Sequence, residues 1–85
     1  MPYFTYILEC TDKTLYIGAT NNLEKRLHEH NKSKSGAHYT KIRRPVVLRY
    51  FEKFPTLKKS RAREAELKRL PREKKLELIN IKKII

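Results

Sequence analysis

Two short runs rich in β-branched and aromatic residues, Tyr3-Phe4-Thr5-Tyr6-Ile7-Leu8-Glu9 and Thr14-Leu15-Tyr16-Ile17-Gly18-Ala19, flank a polar break at Thr11-Asp12-Lys13. Runs of this character across so short a break read as a β-hairpin. In a chain of 85 residues a hairpin leaves room for one small core built around it. Which side chains share a face depends on the turn. A two-residue Asp12-Lys13 loop would put Tyr6 and Tyr16 on opposite faces. A three-residue Thr11-Asp12-Lys13 loop, pairing Cys10 with Thr14, would put both on one, because a shift of one residue flips every side chain. The sequence leaves both registers open.

After the hairpin, Asn21 or Asn22 can cap a helix running to about Asn31, its side-chain oxygen taking a first-turn amide that would otherwise lack a partner. Leu23 and Leu27 would face the core. Lys32 to Arg44 shows no sustained period and is expected to be mostly loop. Beyond Pro45, Val46-Val47-Leu48-Arg49-Tyr50-Phe51 reads as a third strand, short enough to lie beside the hairpin. Pro55-Thr56 offers a stop and a cap for a helix reaching Leu70, although Leu57, Ala62, Ala65, Leu67 and Leu70 scatter around its wheel. Pro71 suits the first turn of a last helix through Leu76 and Ile79 to about Lys82, with Ile84-Ile85 packing down after it. The expectation is an α+β fold, a single domain over residues 1–85. Its core is a small three-stranded antiparallel sheet with flanking helices in the order β-β-α-β-α-α.

Charge separates the two halves of the chain. The formal net charge is +12, yet residues 1–40 hold five basic side chains against four acidic ones, while residues 41–85 hold sixteen against five. The C-terminal half is therefore an electrostatic footprint suited to a phosphate backbone, with salt-sensitive binding as its signature; the plainer alternative is a solubilising surface. Gly18 and Gly36 are the only glycines, so neither a G-x-G-x-x-G turn nor a phosphate-cradling P-loop can be built and no nucleotide cofactor of those kinds is expected. No apolar stretch approaches the roughly 18 residues of a membrane span, and Met1-Pro2-Tyr3 lacks the opening of a signal peptide. A soluble cytoplasmic protein with no membrane partner is expected. The single cysteine, Cys10, cannot form an internal disulfide, which fits a reducing compartment and a small packing role.

A few residue types carry chemical potential. Arg26 and His30 lie four apart on the first helix, nearly above one another beside the Leu23/Leu27 stripe, at the expected rim of the core. Glu64 stands among Arg61, Arg63, Lys68 and Arg69. His28, His30, His38 and Cys10 do not add up to a zinc site, because His28 and His30 point about 200° apart on a helix. Taken singly, each residue has a plain reading. Tyr6 and Tyr16 would be half-buried sheet aromatics, Arg26 a solvated cation near Glu29 or Glu24, and Glu64 an ion-pair partner of Lys68.

The ordered set changes that balance. Thr5-Tyr6-Ile7, Leu15-Tyr16-Ile17-Gly18 and Asn22-Leu23-x-x-Arg26-Leu27-x-x-His30-Asn31, followed by Ser35-Gly36-Ala37-His38-Tyr39-Thr40, Arg44-Pro45, Arg63-Glu64 and Lys68-Arg69-Leu70, resemble the GIY-YIG nuclease domain, in its small stand-alone bacterial branch. The resemblance spans essentially the whole chain. It departs at one point, where Thr5 stands in place of the leading glycine of the first motif. The resemblance implies an endonuclease that hydrolyses phosphodiester bonds, most often of DNA in repair or processing, with one Mg²⁺ or Mn²⁺ held by a single glutamate, here Glu64, and by waters. That sparse shell suits an ion that gives up water reluctantly. Tyr6 would serve or assist as general base, and Tyr16 and His30 would orient or share the proton. Arg26 would stabilise charge growing on the phosphoryl oxygens. Gly18 and Asn22 would be motif residues of the scaffold, and Gly18 would let the second strand pass close to the site. His38, Tyr39 and Lys41 would touch substrate. A free tyrosine ionises near pH 10, so Tyr6 needs positive charge or a metal-bound water close by at neutral pH. The alternative is a module of the same fold that binds DNA or RNA without cutting it.

Overall fold

The turn that the sequence left open is the three-residue one. In a computed structural model of the chain, which describes residues 2–32 and 38–81, strand β1 (Tyr3–Glu9) pairs antiparallel with β2 (Leu15–Thr20), Glu9 opposite Leu15 and Tyr6 opposite Gly18. The Cys10 amide donates to the Thr14 carbonyl and the Lys13 amide to the Cys10 carbonyl, with Lys13 at φ 71°. A type I turn closed by one left-handed residue is the usual three-residue hairpin loop. Asp12 holds it, its Oδ1 accepting from the Thr14 amide and hydroxyl. Tyr6, Leu8, Tyr16 and Gly18 consequently share one face.

Strand β3 (Val47–Phe54) adds to the other side of β1, giving the antiparallel order β2-β1-β3. It is longer than the Val46–Phe51 strand expected, and its register shifts between Ile7 and Leu8 of β1. That bulge lets Leu48 and Phe51, an odd number of positions apart, face the same core, while Tyr50 faces the opposite one. The expected three-stranded antiparallel sheet is thus present, with helices on both faces.

Helix α1 (Leu23–Lys32) covers the Tyr6 face with Leu23 and Leu27, capped by Asn22, whose Oδ1 accepts from the Lys25 amide. A short helix α2 (His38–Lys41) follows in a stretch expected to be mostly loop. Four residues are too few to leave a periodic signal. Helix α3 (Leu57–Arg69) starts at the expected cap, Thr56, whose hydroxyl accepts from the Lys59 amide, and packs on the other face. Helix α4 (Arg72–Ile81) adds Leu78 and Ile79 to that second core; the expected packing of Ile84-Ile85 lies outside the described residues.

The inner line of α3 explains why its sequence shows no clean apolar stripe. Ser60, Arg63, Glu64 and Leu67 fall at helical spacing on the side turned to the sheet, and only Leu67 is a large apolar residue buried there. Polar anchors do the rest. The buried Thr5 hydroxyl donates to the Ser60 carbonyl at 2.7 Å, and Arg63 Nε donates to Glu52 at 2.8 Å, where the Tyr50 hydroxyl also donates.

Candidate active site

Burial and hydrogen bonding bring Tyr6, Tyr16, Arg26 and His30 together at the β2 side of the sheet, and the charge of a fifth singled-out residue, Glu64, is felt there. The Tyr6 Oη and His30 Nε2 are 3.0 Å apart. The Tyr16 ring stands edge-on to His30 at 4.9 Å and tilted against Tyr6 at 6.5 Å between centroids. Arg26 sits one turn before His30 and lies beside the Tyr6 hydroxyl, with Nη1 also donating to Glu29 at 3.0 Å. The negative charge of Glu64, on α3, adds a small push against a phenolate at Tyr6. The sources are β1, β2, α1 and α3, so the cluster exists only in the folded chain.

His30 corrects one expectation. It lies not at the rim of the core but fully buried, 0% exposed, under Tyr16 and the residues of α2. Its Nδ1 is 2.7 Å from the hydroxyl of Thr40, which is equally buried. Burial above all, then the charge of Arg26, holds the imidazole down to about 4, with Arg44 adding to the effect and Glu29 opposing it. His30 is a neutral ring with both nitrogens engaged. Burial likewise pushes the Tyr6 hydroxyl up to about 12 against the pull of Arg26, with Tyr16 and Glu64 adding to the rise.

Gly18 lies directly against Tyr6. It has no positive φ; a Cβ there would stand 2.6 Å from Tyr6 Cζ. The residue makes room for the ring of Tyr6 rather than for an unusual backbone. Asn22 is the cap of α1 and stays out of the cluster. Among the three residues expected to touch substrate, Tyr39 is placed best: 37% exposed, 5.9 Å from the Tyr16 ring, with the Arg43 guanidinium over it at 4.0 Å. No described contact joins Lys41 to the cluster, and the side chain of His38 lies outside what is described.

Three residues that sequence reading placed in motifs but gave no role complete the frame. Thr40 engages His30, and Arg44 donates to the Glu29 and His30 carbonyls at the end of α1, where a cation is favoured. Thr5, in place of a motif glycine, ties β1 to α3. Arg44 and Thr40 carried a weak signal as polar residues beside a proline and an aromatic; their partners ten or more positions away carried none.

Glu64 is the one carboxylate of the cluster suited to a divalent ion. Its side chain is 15% exposed and pairs with Lys68 Nζ at 3.1 Å. No group of three or more His, Cys, Asp or Glu gathers among the described residues. A single glutamate supplemented by water and substrate oxygens fits Mg²⁺ or Mn²⁺, which bind through one or two carboxylates, and does not fit zinc.

Two tyrosines from paired strands meet an arginine and a histidine one turn apart on the neighbouring helix, and the sequence match places this arrangement in a nuclease-type domain. Residues 2–77 match the sequence model of the family described as the GIY-YIG catalytic domain, and the chain belongs to that family. It is 55% identical over 76 residues to a UPF0213 protein of Syntrophus aciditrophicus, covering 89% of this chain and 87% of that one. It is 49% identical to a UPF0213 protein of Clostridium perfringens, covering 95% and 86%. The solution structure of the UPF0213 protein of Bacillus halodurans superposes with a TM-score of 0.62 at 37% identity, covering 98% of this chain and 87% of that one. The family carries a nuclease-like function with nucleic acid as its substrate class. No helix among the described residues is long and apolar enough to cross a membrane.

Proposed function

We propose that this protein is a metal-dependent endonuclease that hydrolyses phosphodiester bonds, with DNA as its first substrate class. The observation that carries the reading is the convergence of Tyr6, Tyr16, Arg26 and His30 from β1, β2 and α1, with the charge of Glu64 on α3 felt at the Tyr6 hydroxyl. The two tyrosines also pack in the core, but packing gives no reason to set Arg26, His30 and a carboxylate beside them, because polar and charged groups are costly to gather at a buried position.

The roles follow from the protonation states. A tyrosine held near 12 is a phenol at neutral pH, so Tyr6 acts by taking the water's proton as its own is passed on. The neutral His30 can take that proton briefly at Nε2 when the hydrogen on Nδ1 is directed to Thr40; as the water oxygen bonds to phosphorus and the ester P–O bond breaks, its low basicity returns the proton through Tyr6 to the leaving alkoxide. Tyr16 closes the imidazole off from bulk water. Arg26 offers a planar donor fork to the phosphoryl oxygens as charge grows on them. Glu64 would hold one Mg²⁺ or Mn²⁺, which supplies Lewis acidity and neutralises charge at the phosphate. A buried free thiol at Cys10 supports a reducing, cytoplasmic setting.

The test is cleavage of labelled duplex, flap, branched and single-stranded DNA and RNA with Mg²⁺, Mn²⁺ or chelator. Wild type should cut only with metal; Glu64→Ala should bind and not cut, and Arg26→Ala should cut slowly. Salt-sensitive binding without cutting, equal in all three proteins, would establish the binding-module alternative instead.

A further inference from the structure

Beyond the cluster, a cleft of about 230 Å³ opens at the turn end of β2, lined by Thr14, Leu15, Tyr39, Arg72 and Lys75. Three features make it more than a gap between elements. Arg72 and Lys75 lie one turn apart on α4, so both side chains emerge on the same side. Neither has an acidic partner among the described residues; other cations such as Lys58, Lys59 and Arg61 share that state, but only Arg72 and Lys75 bring it to the wall of this cleft. β2 is an outer strand of the sheet, so the cleft runs from the helices of one face to those of the other around a free edge. Two unpaired cations beside polar and aromatic groups in a cleft this size suit a phosphate group.

The cleft is also joined to the cluster. Tyr39 forms its wall and stands 5.9 Å from the Tyr16 ring, which stands 4.9 Å from His30. A strand entering at the cluster and continuing along the β2 edge would pass Tyr39 and reach Arg72 and Lys75. We propose that this cleft is a second phosphate subsite, holding a flanking phosphodiester of the substrate strand and fixing its direction across the site. This deepens the nuclease reading and rests on it. The two cations lie on α4, outside the residues that the cleavage chemistry uses.

The experiment is binding of a fluorescein-labelled oligonucleotide in chelator, so that nothing is cut, across a salt series. It compares wild type, Arg72→Gln/Lys75→Gln, and Lys58→Gln/Lys59→Gln as a charge-matched control at the start of α3. The cleft pair should lose roughly tenfold in affinity at low salt, and its slope of log K against log salt should fall by about 1, the share of one phosphate. The control pair should lose much less. Amide resonances of Thr14 and Leu15 should move when a dinucleotide is added to wild type and stay still in the cleft variant. Equal losses in both variants would reduce the cleft to general surface charge and overturn the proposal. So would unchanged oligonucleotide binding in the cleft variant, including the case where inorganic phosphate alone moves those amides; the nuclease reading would then stand without the subsite. A wild-type protein that neither binds nor cuts any nucleic acid would overturn both.

Discussion

The ring of Tyr6 lies across Gly18 of the neighbouring strand so closely that a Cβ at position 18 would stand 2.6 Å from Tyr6 Cζ. The far end of a side chain can often swing aside, but Tyr6 is buried and wedged between Tyr16 and His30. Gly18→Ala should therefore cost about 1–3 kcal/mol of stability by overpacking and should move the Tyr6 hydroxyl off His30, abolishing cleavage. Urea denaturation and a cleavage assay on the same preparation check this. A variant matching wild type in both would show that the ring has somewhere else to go.

Burial of a neutral imidazole makes stability depend on pH in a defined window. His30 is held down to about 4 in the folded chain against an ordinary value of 6.5. Between those values the unfolded chain binds a proton that the folded one does not. Stability should thus fall as pH drops from 6.5 towards 4, by up to about 1.4 kcal/mol per unit from this residue, with no further loss from it below 4. Denaturant midpoints at several pH values should show the slope in wild type and a flatter line in His30→Gln. Parallel lines would mean that His30 already carries its proton in the folded state.

Thr40 should act through His30 and not on substrate. Its hydroxyl sits 2.7 Å from Nδ1 with both groups fully buried. Thr40→Val keeps the volume and leaves a buried ring nitrogen without this partner, at a cost of about 1–3 kcal/mol. Turnover should fall about tenfold, in the range usual for residues that orient a functional group, with KM unchanged. Thr40→Ser should restore both. A KM effect instead of a kcat effect would make Thr40 a contact of the substrate.

The sheet and both caps were legible because each rests on local patterning: β-branched and aromatic runs in the strands, Asn22 and Thr56 before helix formers. Tyr6, Tyr16, Arg26, His30 and Glu64 stood out as a set only through the family resemblance, since each taken singly has a plain reading. What stayed hidden is non-local. The turn register needed the Cys10–Thr14 pairing, and the β3 bulge needed β1 beside it. Helix α3 looked irregular on a wheel because its inner line is Ser60, Arg63, Glu64 and Leu67, a mostly polar face that only Thr5 and Glu52 make sense of. The burial of His30 escaped notice for the same reason. One turn of α2, too short to announce itself, supplies the Thr40 that meets it.

Lys68 and Glu64 form a lopsided pair, the lysine 58% exposed and the glutamate 15%, at 3.1 Å. An exposed i,i+4 partner contributes at most about 1 kcal/mol to the fold, so Lys68→Ala should unfold close to where wild type does. Its ammonium nevertheless competes for the same carboxylate oxygen that a divalent ion would take. With Lys68 removed, Mn²⁺ should bind Glu64 more tightly, and because a ligand that binds only the folded state raises its melting temperature by mass action, Mn²⁺ should raise the Tm of Lys68→Ala more than that of wild type. Glu64→Gln should show little rise at the same concentration. The comparison requires no cleavage, so it tests the carboxylate as an ion ligand separately from the chemistry it serves. An equal Mn²⁺ shift in all three proteins would move the ion to other oxygens and leave Glu64 as the helix ion pair that its spacing to Lys68 alone would suggest.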